Sequence, residues 1–474
     1  MTSTDSVLLR NVEVHGRVVD VRASAGRIDA IGPSLTTAGA SAVVDGHGGA
    51  LVPGLHDHHL HLFAVAAAAS SVQVGPPAVR DVRDLASALR AADAALPAGR
   101  WLRATGYHES VAGDLDRHGL DRVVGGRPVR VQHRSGARWI FNSAAVAALD
   151  LTMQDHPGIE RDARGTATGR VHRADSWLRT LLPAAAMPDL ASVGAALASR
   201  GVTGVTDTTA SDSEDDLRAL AGAVATGALP QRVMVTGGHA LAGTATPEGV
   251  ERGPVKLIVD DGDYPALHAL ADHIVDAHGH DRPVAVHCVT RPALVLALAA
   301  WDVAGSRPGD RVEHGAVVPT ELVPDLRRHG LTVVTQPGFV AERGDDYTRD
   351  VDEDDLPHLY RCRSLLDAGV RVAGSTDAPY TAPDPWAAMR AAVTRRAPSG
   401  AVLGADERVT AEVALRLFLG DLHDPGGPAR VVQVGAPADL CLLARPLAAA
   451  LERLDADDVV ATLCRGRIVH RRDV

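Results

Sequence analysis

Eight short apolar runs rich in β-branched residues punctuate the chain, at 50–55, 202–206, 232–235, 255–259, 284–289, 311–315, 331–335 and 370–373. From the second onward they alternate with helix-like stretches such as 266–278, 292–300 and 361–368. A strand, a covering helix and a further strand, repeated, build a parallel sheet, and eight such units predict an α/β chain closed as a (β/α)8 barrel of TIM type.

The flanks have another texture. Short alternating segments at 7–14, 18–23 and 27–31 are divided by Gly16 and Gly26, and similar segments return at 438–443 and 459–470, with Gly466-Arg467 as a turn. Such small antiparallel strands at both ends predict one β-sandwich shared by the termini. Between the first and second runs, 75–195 carries strand and helix signals of its own, at 82–95, 101–107 and 128–133, and reads as an inserted α/β subdomain. The expected organisation is sandwich over 1–50, barrel start over 51–74, insertion over 75–195, barrel over 196–424 and sandwich again over 425–474.

Composition narrows the function classes. A formal net charge of −11, with arginines dispersed among acids, argues against a nucleic-acid partner and for a small-molecule substrate, with a homo-oligomer allowed. No stretch approaches the roughly 20 apolar residues of a membrane span. Residues 1–10 show no basic segment followed by an apolar run, and the four cysteines form no CxxC pair, so the expected compartment is cytoplasmic.

One residue stands apart. Of 48 Lys plus Arg residues, only Lys256 is lysine. An amine can lose its proton and act as a nucleophile, whereas a guanidinium with pKa above ~12 cannot, so Lys256 is a candidate for chemistry.

Barrel enzymes place reacting groups at the C-terminal ends of their strands, and there the runs carry ligand-type residues. The first leads into Pro53-Gly54-Leu55-His56-Asp57-His58-His59-Leu60-His61, where His59 and His61, two apart on an extended segment, point to one side. The fourth carries Lys256, the fifth His287, the sixth His314, and the eighth leads to Asp377. Imidazole and carboxylate are the ligands that borderline divalent metals prefer. His56 and His58 alternate to other faces, and Cys288, one position past His287, points away as packing. His239 after the third run, His108, Arg134 and Arg138 in the insertion, and Gln336 at the end of the seventh run are candidate substrate contacts.

The segment 53–61 resembles the PGxxDxHxH opening of the amidohydrolase superfamily, and Val434-Gly435-Ala436-Pro437-Ala438-Asp439-Leu440 resembles that family's return to its β-domain. Within it, the long insertion, Val255-Lys256-Leu257 and Asn142-Ser143-Ala144-Ala145 look like the family 3 branch that contains N-substituted formamide deformylase. Two segments depart from that branch: Gly136-Ala137-Arg138-Trp139, where relatives carry Gly-His, and Asp261-Gly262-Asp263-Tyr264, where they carry a Gly-Ser-Arg loop.

The resemblance implies two divalent metals, zinc by preference, with His59, His61 and Asp377 on the first and His287 and His314 on the second. A lysine amine beside two cations can capture carbon dioxide, so Lys256 would bridge them as a carbamate. A bridging hydroxide would then attack an amide-type C–N bond of a small molecule, with Asp377 as general base and acid. The same set also suits a lactonase or phosphotriesterase-like hydrolase. A mononuclear deaminase on this fold would carry Glu three positions after the fifth-run His, where this chain has Thr290.

Overall fold

β-branched side chains fit a pleated, buried surface, and the eight runs form strands that we label β1 (Leu55–Leu60), β2 (Val202–Asp207), β3 (Arg232–Val235), β4 (Val255–Ile258), β5 (Val284–Cys288), β6 (Arg311–His314), β7 (Thr332–Thr335) and β8 (Arg371–Gly374). The structure is a computed structural model and describes residues 6–183 and 188–472. The chain divides into two compact units, one of Met1–Leu62 with Leu190–Val474, the other of Phe63–Asp189.

In the larger unit the eight strands make two parallel sheets. One orders β1, β2, β3 and the short strand Glu251–Arg252; the other orders β4 to β8 in sequence. Hydrogen bonds join the sheets at both edges. Lys256 N donates to Gly237 O at 2.8 Å on one side; Asp377 N donates to His59 O at 2.8 Å and His61 N to Ala378 O at 2.9 Å on the other. Helices follow most strands and start on recognisable caps. After β2, Ser213 forms a capping box with Asp216 for Glu214–Thr226, and after β5, Thr290 Oγ1 accepts from Ala293 N for Arg291–Ala304.

The termini supply two more four-stranded sheets. One contains Arg27–Gly32, Arg17–Ser24, Ser6–Val14 and Ala42–Asp45; the other contains Arg467–Arg471, Val459–Cys464, Leu440–Leu443 and Leu51–Pro53. Leu9, Val21 and Ile28 of the first share one apolar core with Leu51, Leu442 and Leu463 of the second.

The first run, expected as a single strand over 50–55, is split. Leu51–Pro53 pairs antiparallel with Leu440–Leu443 as an edge strand, where a proline without an N–H is tolerated, and β1 begins at Leu55. Gly54 makes the crossing, because a Cβ there would sit 2.1 Å from the Thr203 side chain.

The smaller unit holds a six-stranded sheet ordered Ile159–Arg161, Ala167–His172, Arg138–Phe141, Val129–His133, Leu102–Tyr107 and Val72–Gln73. Helix Val82–Ala95, capped by Asp81, buries Leu85 and Leu89 in a core with Leu102, Val129 and Ile140. Among the described residues no helix is long and apolar enough to cross a membrane.

Candidate metal centre

The site is assembled where β1, β6 and the turn after β8 meet. Along β1 the register slips: Val205 and Asp207 of β2 pair with Asp57 and Leu60, so two steps on β2 span three on β1. A bulge of this kind re-aims side chains, and here it precedes His61. Asp57, buried just before, anchors the neighbouring turn, its Oδ1 accepting from Thr376 N at 3.0 Å and its Oδ2 from Thr376 Oγ1 at 2.5 Å. Burial pushes the Asp57 carboxyl up to about 7.

Thr376 holds Asp377 in place. The Asp377 backbone is left-handed, with φ 56, an uncommon conformation for a residue with a side chain. Its Oδ1 lies 3.2 Å from His61 Nε2 and 3.6 Å from His59 Nε2. One ligand atom from each of the three residues lies within 4.8 Å of the other two, a group able to hold a metal ion. The far sides of both rings are occupied, His61 Nδ1 by Thr209 Oγ1 at 2.9 Å and His59 Nδ1 by Glu313 Oε2, which leaves both Nε2 atoms facing Asp377.

His314 joins from β6. Strand alternation would send Glu313 and His314 to opposite faces, but His314 also has a left-handed backbone, φ 68. Its ring centroid lies 4.7 Å from that of His59 and 4.4 Å from that of His287. Gln336 Oε1 engages His314 Nδ1 at 2.9 Å, and burial, reinforced by the adjacent His287, pushes this imidazole down to about 3. The imidazole is therefore neutral, the form that binds a cation.

Lys256 is 4% exposed. Its Nζ has no hydrogen-bond partner among the described residues. Burial pulls its pKa below the ordinary lysine value while the charges of Glu313 and Asp377 pull the other way. A buried amine left without an acceptor is costly, and a group bound beside it would satisfy it. That orphaned amine, with Nε2 atoms and a carboxylate oxygen converging nearby, fits divalent cations.

The other singled-out residues sit as follows. Gln336 is fully buried, and besides His314 its Nε2 donates to Val334 O and Ser375 Oγ. His239 packs on His273, ring centroids 4.5 Å apart, and lies 3.6 Å from Asp276 of helix Leu267–Gly279. In the smaller unit, His108 caps helix Glu109–Ala112, Arg138 and His133 both pair with Glu109, and Arg134 N donates to Tyr107 O at 2.8 Å. Cys288 is buried, and burial raises its thiol pKa. Thr290 is a helix cap and donates to Asp261 at 2.5 Å. His56 and His58 are wholly buried, and burial lowers the pKa of both imidazoles.

Sequence reasoning missed Asp57, Thr376, Thr209 and above all Glu313 with Arg311. The signal for the last pair was present: Arg311 and Glu313 place opposite charges two apart on a strand-length run, which puts both on one face of a strand.

Comparison with known proteins bears on the whole chain. The model of the amidohydrolase family matches residues 42–470. The N-substituted formamide deformylase of Arthrobacter pascens is 27% identical over 550 aligned residues, which cover 100% of this chain and 99% of that one. The putative amidohydrolase YtcJ of Bacillus subtilis is 24% identical, over 90% of each chain. Among solved structures, an uncharacterized metal-dependent hydrolase from Pyrococcus horikoshii superposes with a TM-score of 0.71 at 18% identity, covering 93% of this chain and 98% of that one.

Proposed function

The chain belongs to the amidohydrolase family, and from that membership we propose that it hydrolyses an amide-type C–N bond of a small molecule at a centre of two divalent metals, zinc by preference. The observation that carries the reading is the convergence of His59, His61 and Asp377 beside the orphaned amine of Lys256. The hydrogen bonds at both edges of the parallel sheets support reading β1 to β8 as one closed TIM-type barrel, with the shared apolar core of the terminal sheets as a sandwich and the smaller unit as an inserted subdomain.

His59, His61 and Asp377 would hold one cation, His287 and His314 the other, and Lys256, as a carbamate formed with carbon dioxide, both. Bound there, divalent cations lower the pKa of a coordinated water toward ~7 and polarise a carbonyl. Asp377 is the group placed to move protons: its carboxylate takes one from the attacking water and returns it to the nitrogen that leaves. Thr376 and Asp57 hold the turn that carries it, while Thr209 and Gln336 fix the rings of His61 and His314. The amide preference is supported by the likeness to the Arthrobacter deformylase. The cap role of Thr290, at the position where a mononuclear deaminase would carry its acid, speaks for hydrolysis at two metals.

The test is a screen of N-formyl, N-acyl, carbamate, lactone and phosphotriester compounds with zinc-replete protein, with ammonia release followed in parallel. Highest kcat/KM on an N-formyl or N-acyl compound is expected. Faster cleavage of lactones or phosphotriesters, or ammonia as the main product, would overturn the amide assignment.

A further inference from the structure

We propose that Glu313 is a positioning residue that turns His59 toward the metal and strengthens its Nε2 as a ligand. The inference rests on the metal-centre reading above and assigns a role to a residue that reading does not use. Arg311 and Glu313 stand two apart on β6, so both project from one face, and both are almost completely buried. Glu313 Oε2 contacts His59 Nδ1, Glu313 Oε1 lies 2.5 Å from Arg311 Nε, and the other side of the His59 ring faces Asp377.

The direction of the contact follows from valence. An ionised carboxylate only accepts, so Nδ1 must donate, and a neutral ring that donates through Nδ1 has its lone pair at Nε2, the atom turned toward Asp377. The same orienting task is done at the neighbouring rings by neutral partners, Thr209 Oγ1 on His61 and Gln336 Oε1 on His314. Orientation alone therefore needs no charge. A buried carboxylate is expensive, and the chain keeps this one by burying Arg311 beside it. What the charge adds is basicity: an anion behind the donor nitrogen makes the opposite nitrogen a better ligand, as carboxylates behind metal-bound histidines do elsewhere.

Metal affinity is the property to measure, because it reads the ring and not turnover. Metal-free wild-type protein and Glu313→Gln are titrated with Zn2+ against a competing chromophoric chelator, and each is titrated with Co2+ to record the visible absorption of the bound ion. Glu313→Gln should bind zinc about 10- to 100-fold more weakly, with an altered cobalt spectrum, and should have a lower thermal midpoint when metal-free because it leaves Arg311 buried without its carboxylate. If the lone Arg311 charge unfolds that variant, Arg311→Met/Glu313→Gln removes both charges and should show the same loss of affinity. Zinc affinity within about threefold of wild type, in whichever variant folds, would overturn the proposal, as would a lowered midpoint with intact affinity. Wild-type protein that binds no zinc at all would bring down the metal-centre reading together with this one.

Discussion

Two regions of the larger unit are built by opposite chemistry. The core shared by the terminal sheets is aliphatic throughout, with Leu9, Val21, Leu440 and Leu463 among its members. The space at the ends of β1, β4, β6 and β8 buries Asp57, His59, Lys256, Glu313, His314 and Asp377 instead. Each apolar side chain in the first region contributes ~1.5 to 3 kcal/mol by leaving water. Each charge in the second costs roughly several kcal/mol to bury before any partner offsets it. Burial in the first region is thus a source of stability, and in the second it is an expense that the proposed cations would offset.

The sharpest way to break that contrast is at Lys256. Lys256→Arg keeps a long cationic side chain but fixes the charge, so it should repel the metals and abolish turnover, and Lys256→Ala should lose binding yet regain part of it with a small carboxylic acid. Metal analysis of purified protein decides it. A full complement of two metals in Lys256→Arg would mean that the amine is only a structural cation. Next in size is Asp377→Asn, expected to lower kcat by ~10²- to 10⁴-fold while much of the metal stays bound. Near-wild-type kcat in the metal-loaded variant would remove Asp377 from proton transfer. Smallest in its effect on chemistry is Leu9→Ala, on the aliphatic side of the comparison. It should cost about 2 to 5 kcal/mol in denaturant unfolding and leave kcat/KM unchanged where the protein is folded. A loss of turnover as large as the Asp377 variant's would show that the two regions are energetically one.

The same contrast separates what could be read from sequence from what could not. Strands β2 to β8 were legible because parallel strands buried on both faces read as short runs rich in β-branched and apolar residues, and their observed bounds differ from the expected ones by at most one residue. Of the ligand-type residues, His314 closes β6 and His287 and His59 lie one short of the ends of β5 and β1, whereas Lys256 is the second residue of β4 and Asp377 lies three past β8. The start of β1 was not legible: only Gly54 separates Leu51–Pro53 from Leu55–Leu60 in sequence, and only pairing with Leu440–Leu443 assigns the first piece to the terminal sheet. Gln336 looked free to meet substrate because periodicity says nothing of its amide, which is consumed by His314, Val334 and Ser375. Glu313 escaped because a charge within a run reads as the run's polar end, and its partner His59 lies 254 residues away.

The left-handed backbones at His314 and Asp377 have a consequence for descent. Each is a conformation that costs a side-chain-bearing residue of order 1 kcal/mol and that glycine adopts freely, with asparagine next. Exchanging either for glycine would discard a proposed cation ligand and relieve the backbone in one step. Selection for a sturdy protein therefore does nothing to preserve these two positions; on its own it rewards their loss. In a lineage released from the need for turnover, they should be among the first to drift, and the fold should outlast the reaction.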